Sequence, residues 1–228
     1  MLKRNFLLAL SLIVVQPTYS STNKEVAELC LKAADFKGCV EIMSSQKDLD
    51  KFKVSKDSKI IKQNCKEGDR VLLLSENRPE WFMSDLAIML SKAITVPTYT
   101  TYTSNDYNYL IEDCKPSIII VSNNFLHKKI ENIIANKEFI KKIITFDNVA
   151  KGNYIEKYLD FHSIIKTKLS ENDKVKQINS KRNSPACIIY TSGTGGSPKG
   201  VILSHGGILN NLEGAQEILK PIINKKPI

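Results

Sequence analysis

Between Tyr190 and Val201 the chain places Gly193, Gly195, Gly196 and Gly200 among the hydroxyls of Thr191, Ser192, Thr194 and Ser197, with Lys199 beside Pro198. Glycine opens backbone angles closed to other residues, so successive amide N–H groups can converge on an anion. The hydroxyls add hydrogen-bond donors, and Lys199 adds a mobile positive charge. Thr191, Ser192, Gly193, Thr194, Gly195, Gly196, Ser197, Pro198, Lys199 and Gly200 therefore form a candidate phosphate cradle. The spacing is not that of a Walker A loop, which requires Gly at 198 and Ser or Thr at 200. As bare composition, a Gly/Ser loop equally suits a hairpin facing solvent. No catalytic side chain and no metal ligand is assigned.

Such a loop needs a rigid frame. Ala186–Thr191 is an apolar run that reads as a strand leading into it. Val201–Ser204 resumes the apolar run, and His205-Gly206-Gly207 leads into a helix carrying Ile208, Leu209, Leu212, Ile218 and Leu219. Upstream, Arg70–Ser75 predicts a buried strand. Pro79 suits a first helical turn, and Glu80–Ser91 predicts a helix with one broad apolar face, which Trp81 would dock on the sheet. Ala93–Val96 predicts a second strand closed by Pro97. Ser104 is placed to cap a helix over Asn105–Asp113, where Tyr107, Leu110 and Ile111 share a face. Ser117–Val121 predicts a third strand, 124–137 a Lys-rich helix and Phe139–Phe146 a fourth strand. Strands alternating with helices imply βαβ units, so the fold class is α/β with a parallel sheet. Residues 147–184 are weakly patterned and read as a helix-plus-loop excursion. His205 either contacts substrate or begins its helix; His127 and His162 receive no catalytic role.

Composition narrows the function classes. The 228 residues are 42% hydrophobic and 25% charged, which is globular and excludes a disordered tail or a polytopic membrane protein. The net charge of +9 comes from Lys, with only Arg4, Arg70, Arg78 and Arg182 as arginines. Nucleic-acid recognition favours the guanidinium fork, so the charge reads as a solvated surface and no nucleic-acid partner is expected. The five cysteines include no CxxC, which suggests neither a zinc site nor a disulfide framework; Cys114 and Cys187 read as small core residues. The start differs from the rest. Lys3 and Arg4 precede the apolar stretch Asn5–Val15, Pro17 breaks it, and Ser20 offers a cleavage point, the layout of a secretory signal peptide. Residues 24–43 have helical spacing, with Cys30 and Cys39 able either to pair after export or to stay buried thiols. Residues 44–66 are polar and read as a linker. The organisation expected is a leader over 1–20, a short helical segment and linker over 21–65, and a larger domain over 66–228.

The string from Tyr190 to Val201 closely resembles the phosphate-binding motif of the AMP-forming acyl-adenylating enzymes, usually YTSGTTGxPKGV, with Gly195 where Thr is common. Asn77-Arg78-Pro79-Glu80-Trp81, the Ala93–Tyr99 run and Ser204-His205-Gly206-Gly207 look like a bacterial long-chain fatty-acid CoA ligase, so the resemblance covers 66–228. It implies the parallel-sheet N-terminal subdomain of that family, truncated behind the leader. It further implies that the 191–200 loop holds the β- and γ-phosphates of ATP, with Mg²⁺ on the triphosphate, and with fatty acid and CoA as the other substrates of the complete enzyme. Peripheral membrane contact is a further partner to consider. The adenine-binding, ribose-binding and hinge segments, the YGxTE-type motif and the C-terminal lysine have no counterpart here, so no complete adenylation is expected from the chain alone. Two alternatives stay open: a secreted small helical protein fused to a decayed ligase remnant, and a nucleotide-binding module without catalysis. The expected location is split, since the ligase part implies the cytoplasm or a membrane surface and the leader implies export.

Overall fold

The computed structural model describes residues 54–151, 155–166, 180–191 and 198–223. The leader, the 24–43 segment, Cys30 and Cys39 lie outside the described residues.

Strand β1 (Arg70–Leu74) is the centre of the molecule. Successive side chains of a strand point to opposite faces, so a strand covered on both sides must be apolar at every position. Val71, Leu72, Leu73 and Leu74 are all fully buried. β1 pairs in parallel with β2 (Ile94–Thr98) on one side and β3 (Ile118–Val121) on the other, Leu73 lying level with Pro97 and Ile120. Outward from β3 come β4 (Lys142–Thr145) and β5 (Tyr158–Asp160), both parallel. Beyond β2 come β6 (Pro185–Thr191), parallel to it, and β7 (Lys199–Ser204), antiparallel to β6. The order β5-β4-β3-β1-β2-β6-β7 is that of a doubly wound sheet with one antiparallel edge.

Helices cover both faces. On one lie α1 (Val54–Asn64), α2 (Pro79–Leu90) and α5 (Phe161–Lys166). Ile61, Met83, Ala87, Ile88, Phe161 and Ile164 press there on Val71, Leu73, Ile118, Ile120 and Ile144. On the other lie α3 (Ser104–Cys114) and α4 (Asn124–Ile134), whose Tyr107, Leu110, Ile111, Leu126 and Ile130 meet Leu72, Leu74, Val96, Ile119 and Val121. The two-sided arrangement follows from the winding. The chain moves one way from β1 to β2 and the opposite way from β2 to β3, and crossovers of constant hand then place their helices on opposite faces. Helix α6 (His205–Ile223) follows β7.

Several local expectations change. The 54–64 stretch, read as part of a linker, is a helix that seats fully buried Ile61 against α2 and α5; burying such a side chain is worth about 1.5–3 kcal/mol. Its polar composition hid this, because one narrow stripe is enough for a helix at the rim. Pro97 does not close β2 but lies inside it. The ladder to β6 is registered only at Thr95 opposite Cys187, upstream of Pro97, which suits a residue with no N–H to give. The cap of α3 is Thr103 rather than Ser104: its hydroxyl accepts the Asp106 N–H, and the Asp106 carboxylate accepts the Thr103 N–H, a capping box. The 147–184 excursion contains β5, a three-residue edge strand too short to show a period. Trp81 is partly buried and packs against the core under α2, as expected, and Cys114 is buried, but Cys187 is only partly so.

Candidate functional site

The cradle joins β6 to β7, so its frame is a β-hairpin. Thr191, the last residue of β6, stands in register with Lys199, the first of β7, and both are exposed. Gly200 is opposite Tyr190, and Pro198, partly buried, precedes β7. These residues place two sides of the cradle together at its base. Ser192, Gly193, Thr194, Gly195, Gly196 and Ser197 lie outside the described residues. Because β6 runs parallel to β2 and β1, Thr191 sits at the carboxyl edge of the sheet. Open α/β sheets bind ligands at that edge.

The hairpin is tied to its surroundings by specific groups. Tyr190 is buried, and its hydroxyl donates to the Asp113 carboxylate on α3. Burial first, then donation to Asp113, pushes the Tyr190 pKa far up, so the phenol keeps its proton. At the far end of β7, the Ser204 hydroxyl accepts the Gly207 N–H at 3.1 Å and caps α6. The His205 N–H donates to the Ser184 carbonyl at 3.1 Å and the Gly206 N–H to the Arg182 carbonyl at 2.6 Å. A Cβ on Gly206 would lie 2.8 Å from that same carbonyl oxygen, so the helix can start against this loop only with glycine there. His205 thus begins α6, and burial lowers its pKa, leaving it neutral at pH 7.

The remaining strand ends at this edge also carry polar groups. The Ser122 hydroxyl, after β3, donates to Glu76, after β1, at 2.5 Å. Arg78 donates to Glu80 at 2.9 Å and through two nitrogens to Asp147 at 3.1 and 3.2 Å. Burial alone would lower the Arg78 pKa, but its bonds to Asp147 and Glu80 outweigh that and raise it. Tyr99, at the end of β2, is exposed and meets Tyr102 edge-on at 5.4 Å. His127 is buried, with its Nε2 2.7 Å from the Tyr158 hydroxyl, and His162 rides on α5 against Phe161.

A family model described as "AMP-binding enzyme" matches residues 54–225. The chain belongs to the AMP-binding enzyme family. It is 29% identical over 165 residues to the fatty acyl-CoA synthetase A of Dictyostelium discoideum, an alignment covering 69% of this chain and 24% of that one. It is 33% identical over 153 residues to the human long-chain-fatty-acid–CoA ligase ACSBG2, covering 65% and 23%. Its fold matches the crystal structure of the anthranilate CoA ligase AuaEII in complex with anthranoyl-AMP, with a TM-score of 0.60, 25% identity and coverage of 70% and 29%. The chain spans about a quarter of the length of the curated relatives it matches.

The match begins at the start of α1, upstream of Lys66, so this helix and the sheet it covers fall in one matched region. The glycines and the string single out the candidate loop in the sequence. They do not point to Asp113, which meets Tyr190 across 77 positions, because no spacing signal links a helix end to a strand so far away.

Proposed function

We propose that this chain supplies the triphosphate-binding part of an AMP-forming acyl-CoA ligase, with a long-chain fatty acid as the carboxylate substrate. The observation that carries the reading is the hairpin base: Thr191 and Lys199 level with each other at the carboxyl edge of the sheet, within a chain of the AMP-binding enzyme family. In the complete reaction the fatty-acid carboxylate attacks the α-phosphorus of ATP, the bond to the β-phosphate oxygen breaks, and pyrophosphate leaves. CoA thiol then displaces AMP. Negative charge grows on the departing pyrophosphate, and fixed donors aimed at that charge lower the barrier. Lys199 and the loop amides would supply them, with the Thr191 hydroxyl as a further donor.

Mg²⁺ accompanies the triphosphate in this reading. Among the described residues no group of three or more His, Cys, Asp or Glu side chains is arranged for a metal ion, and the hairpin base offers only the hard oxygen of Thr191. In this reading the ion is carried by the phosphates of the nucleotide. The chain alone is expected to bind ATP without releasing pyrophosphate.

The test is calorimetric titration of the full chain with MgATP, beside an assay of oleate-dependent pyrophosphate release. Replacing Lys199 by Ala removes a charge-assisted contact and is expected to weaken MgATP binding by about tenfold or more. Equal binding by both proteins would sink the assignment of the loop. Oleate-dependent pyrophosphate release above the Lys199→Ala background would show instead that the chain adenylates by itself.

A further inference from the structure

Gly200 closes the phosphate motif, and its position invites the view that it touches phosphate through its backbone. Its surroundings point elsewhere. Gly200 stands opposite Tyr190 in the β6–β7 ladder. A Cβ on Gly200 would come 2.9 Å from the Ile188 Cγ2 and 3.2 Å from the Tyr190 ring carbon that bears the hydroxyl. Two aligned side chains of β6 therefore fill the space that any other residue would need. An aromatic ring lying across a glycine on an edge strand is a recognised way to brace such an edge. The ring is fixed at its far end as well, since its hydroxyl donates to Asp113 on α3.

We infer that Asp113, Tyr190 and Gly200 form a positioning unit that sets the base of the phosphate loop, Gly200 acting by leaving room for the Tyr190 ring. The inference rests on the reading of the loop as a triphosphate site. The force path is short. Helix α3 is held by Tyr107, Leu110 and Ile111 in the core. Asp113 on that helix fixes the phenol, and the phenol ring backs Gly200. One residue outward on each strand, Thr191 and Lys199 form the last pair before the loop. β7 is otherwise exposed along residues 199–202, so nothing on its outer side holds this pair in place among the described residues. Asp113 and Tyr190 are thus positioning residues, acting on phosphate only through Lys199 and the loop.

Two measurements on the full chain test this: amide hydrogen exchange over residues 188–203, and MgATP affinity by calorimetry. Gly200→Ala should speed exchange in the hairpin by about tenfold or more, leave β1 and β3 unchanged, and weaken MgATP binding to a similar degree. Removing the nearest obstructing atom should relieve only part of it, because the Tyr190 ring stays in place, so adding Ile188→Ala should shrink the Gly200→Ala defect without abolishing it. Asp113→Asn keeps an oxygen acceptor for the phenol and should bind MgATP like the native chain, whereas Asp113→Leu should loosen the hairpin and bind more weakly. Hairpin exchange unaltered by Gly200→Ala, or an Asp113→Leu chain that matches the native one in both measurements, would overturn the inference. If the native chain does not bind MgATP, the nucleotide reading falls, and the exchange pattern still decides whether the unit exists.

Discussion

Strands β1 and β7 belong to one sheet and are built of similar residues, Arg-Val-Leu-Leu-Leu against Lys-Gly-Val-Ile-Leu-Ser. In β1 the four apolar side chains have no exposed surface. In β7, Val201 is 45% and Ile202 62% exposed, and Ile218 on the following helix is 62% exposed. The inner region is held by burial on two faces. The outer one is held by a hairpin ladder and a few polar ties, Tyr190 to Asp113 and Arg182 to Asn210 among them. The difference teaches where stability and candidate chemistry reside. Strands β5 to β2 form a scaffold whose stability is spread over many apolar contacts, and the loop hangs from its lightly supported side. Substitutions should accordingly separate into two kinds.

The sharpest contrast comes from the core. Leu73→Ala leaves a cavity under α2 and should destabilise the chain by about 2–5 kcal/mol in urea denaturation. A loss no larger than that of a β7 substitution would break the comparison outright.

The next effect sits at the seam between the regions, where Asp85 on α2 lies near Thr95 of β2 and Cys187 of β6. Burial pushes the Asp85 pKa up to about 6, with the Thr95 hydroxyl partly opposing. A carboxyl that holds its proton more tightly when folded favours the folded state at low pH. That contribution is full below pH ~4 and is lost as pH rises through about 6. Asp85→Asn should therefore stabilise the chain at pH 8 by up to about 3 kcal/mol and bring no gain at pH 4. Denaturation curves at the two pH values check it, and equal gains at both would refute the assignment.

A smaller loss is expected at the rim of the scaffold. Thr103→Ala removes half of the capping box on α3 and should lower stability by about 1 kcal/mol, read from the thermal midpoint. The smallest effect belongs to the outer region: Ile202→Lys should stay within about 0.5 kcal/mol of the native chain. The same change should reduce self-association in light scattering, because a charge on an open edge strand discourages strand-to-strand contact.

The same division explains what could be read in advance. The buried strands declared themselves as unbroken apolar runs, Ile118–Val121 most plainly, α2 by its broad apolar face and α3 by the spacing of its core residues. Helix α1 was hidden because its core contact falls to few side chains, Ile61 foremost, and β5 because three edge residues carry no period. Pro97 misled because its missing N–H forbids a partner on one side only, and β2 continues past it on the other. At the candidate site, Thr191, Pro198, Lys199 and Gly200 were legible from glycine content and the motif. The fixing of Tyr190 by Asp113 and the steric place of Gly200 were not, since both depend on residues that only the tertiary fold brings together.

The single register point between Thr95 and Cys187 also orders events in time. Strands β1 to β5 and their helices use residues before 167, so they can pair while the chain is still being synthesised. β6 must travel back past three finished strands to reach β2. Contacts between residues so distant in sequence close late and slowly. Until β6 arrives, the edge of β2 is an open strand edge, with backbone groups left to pair with water or another chain.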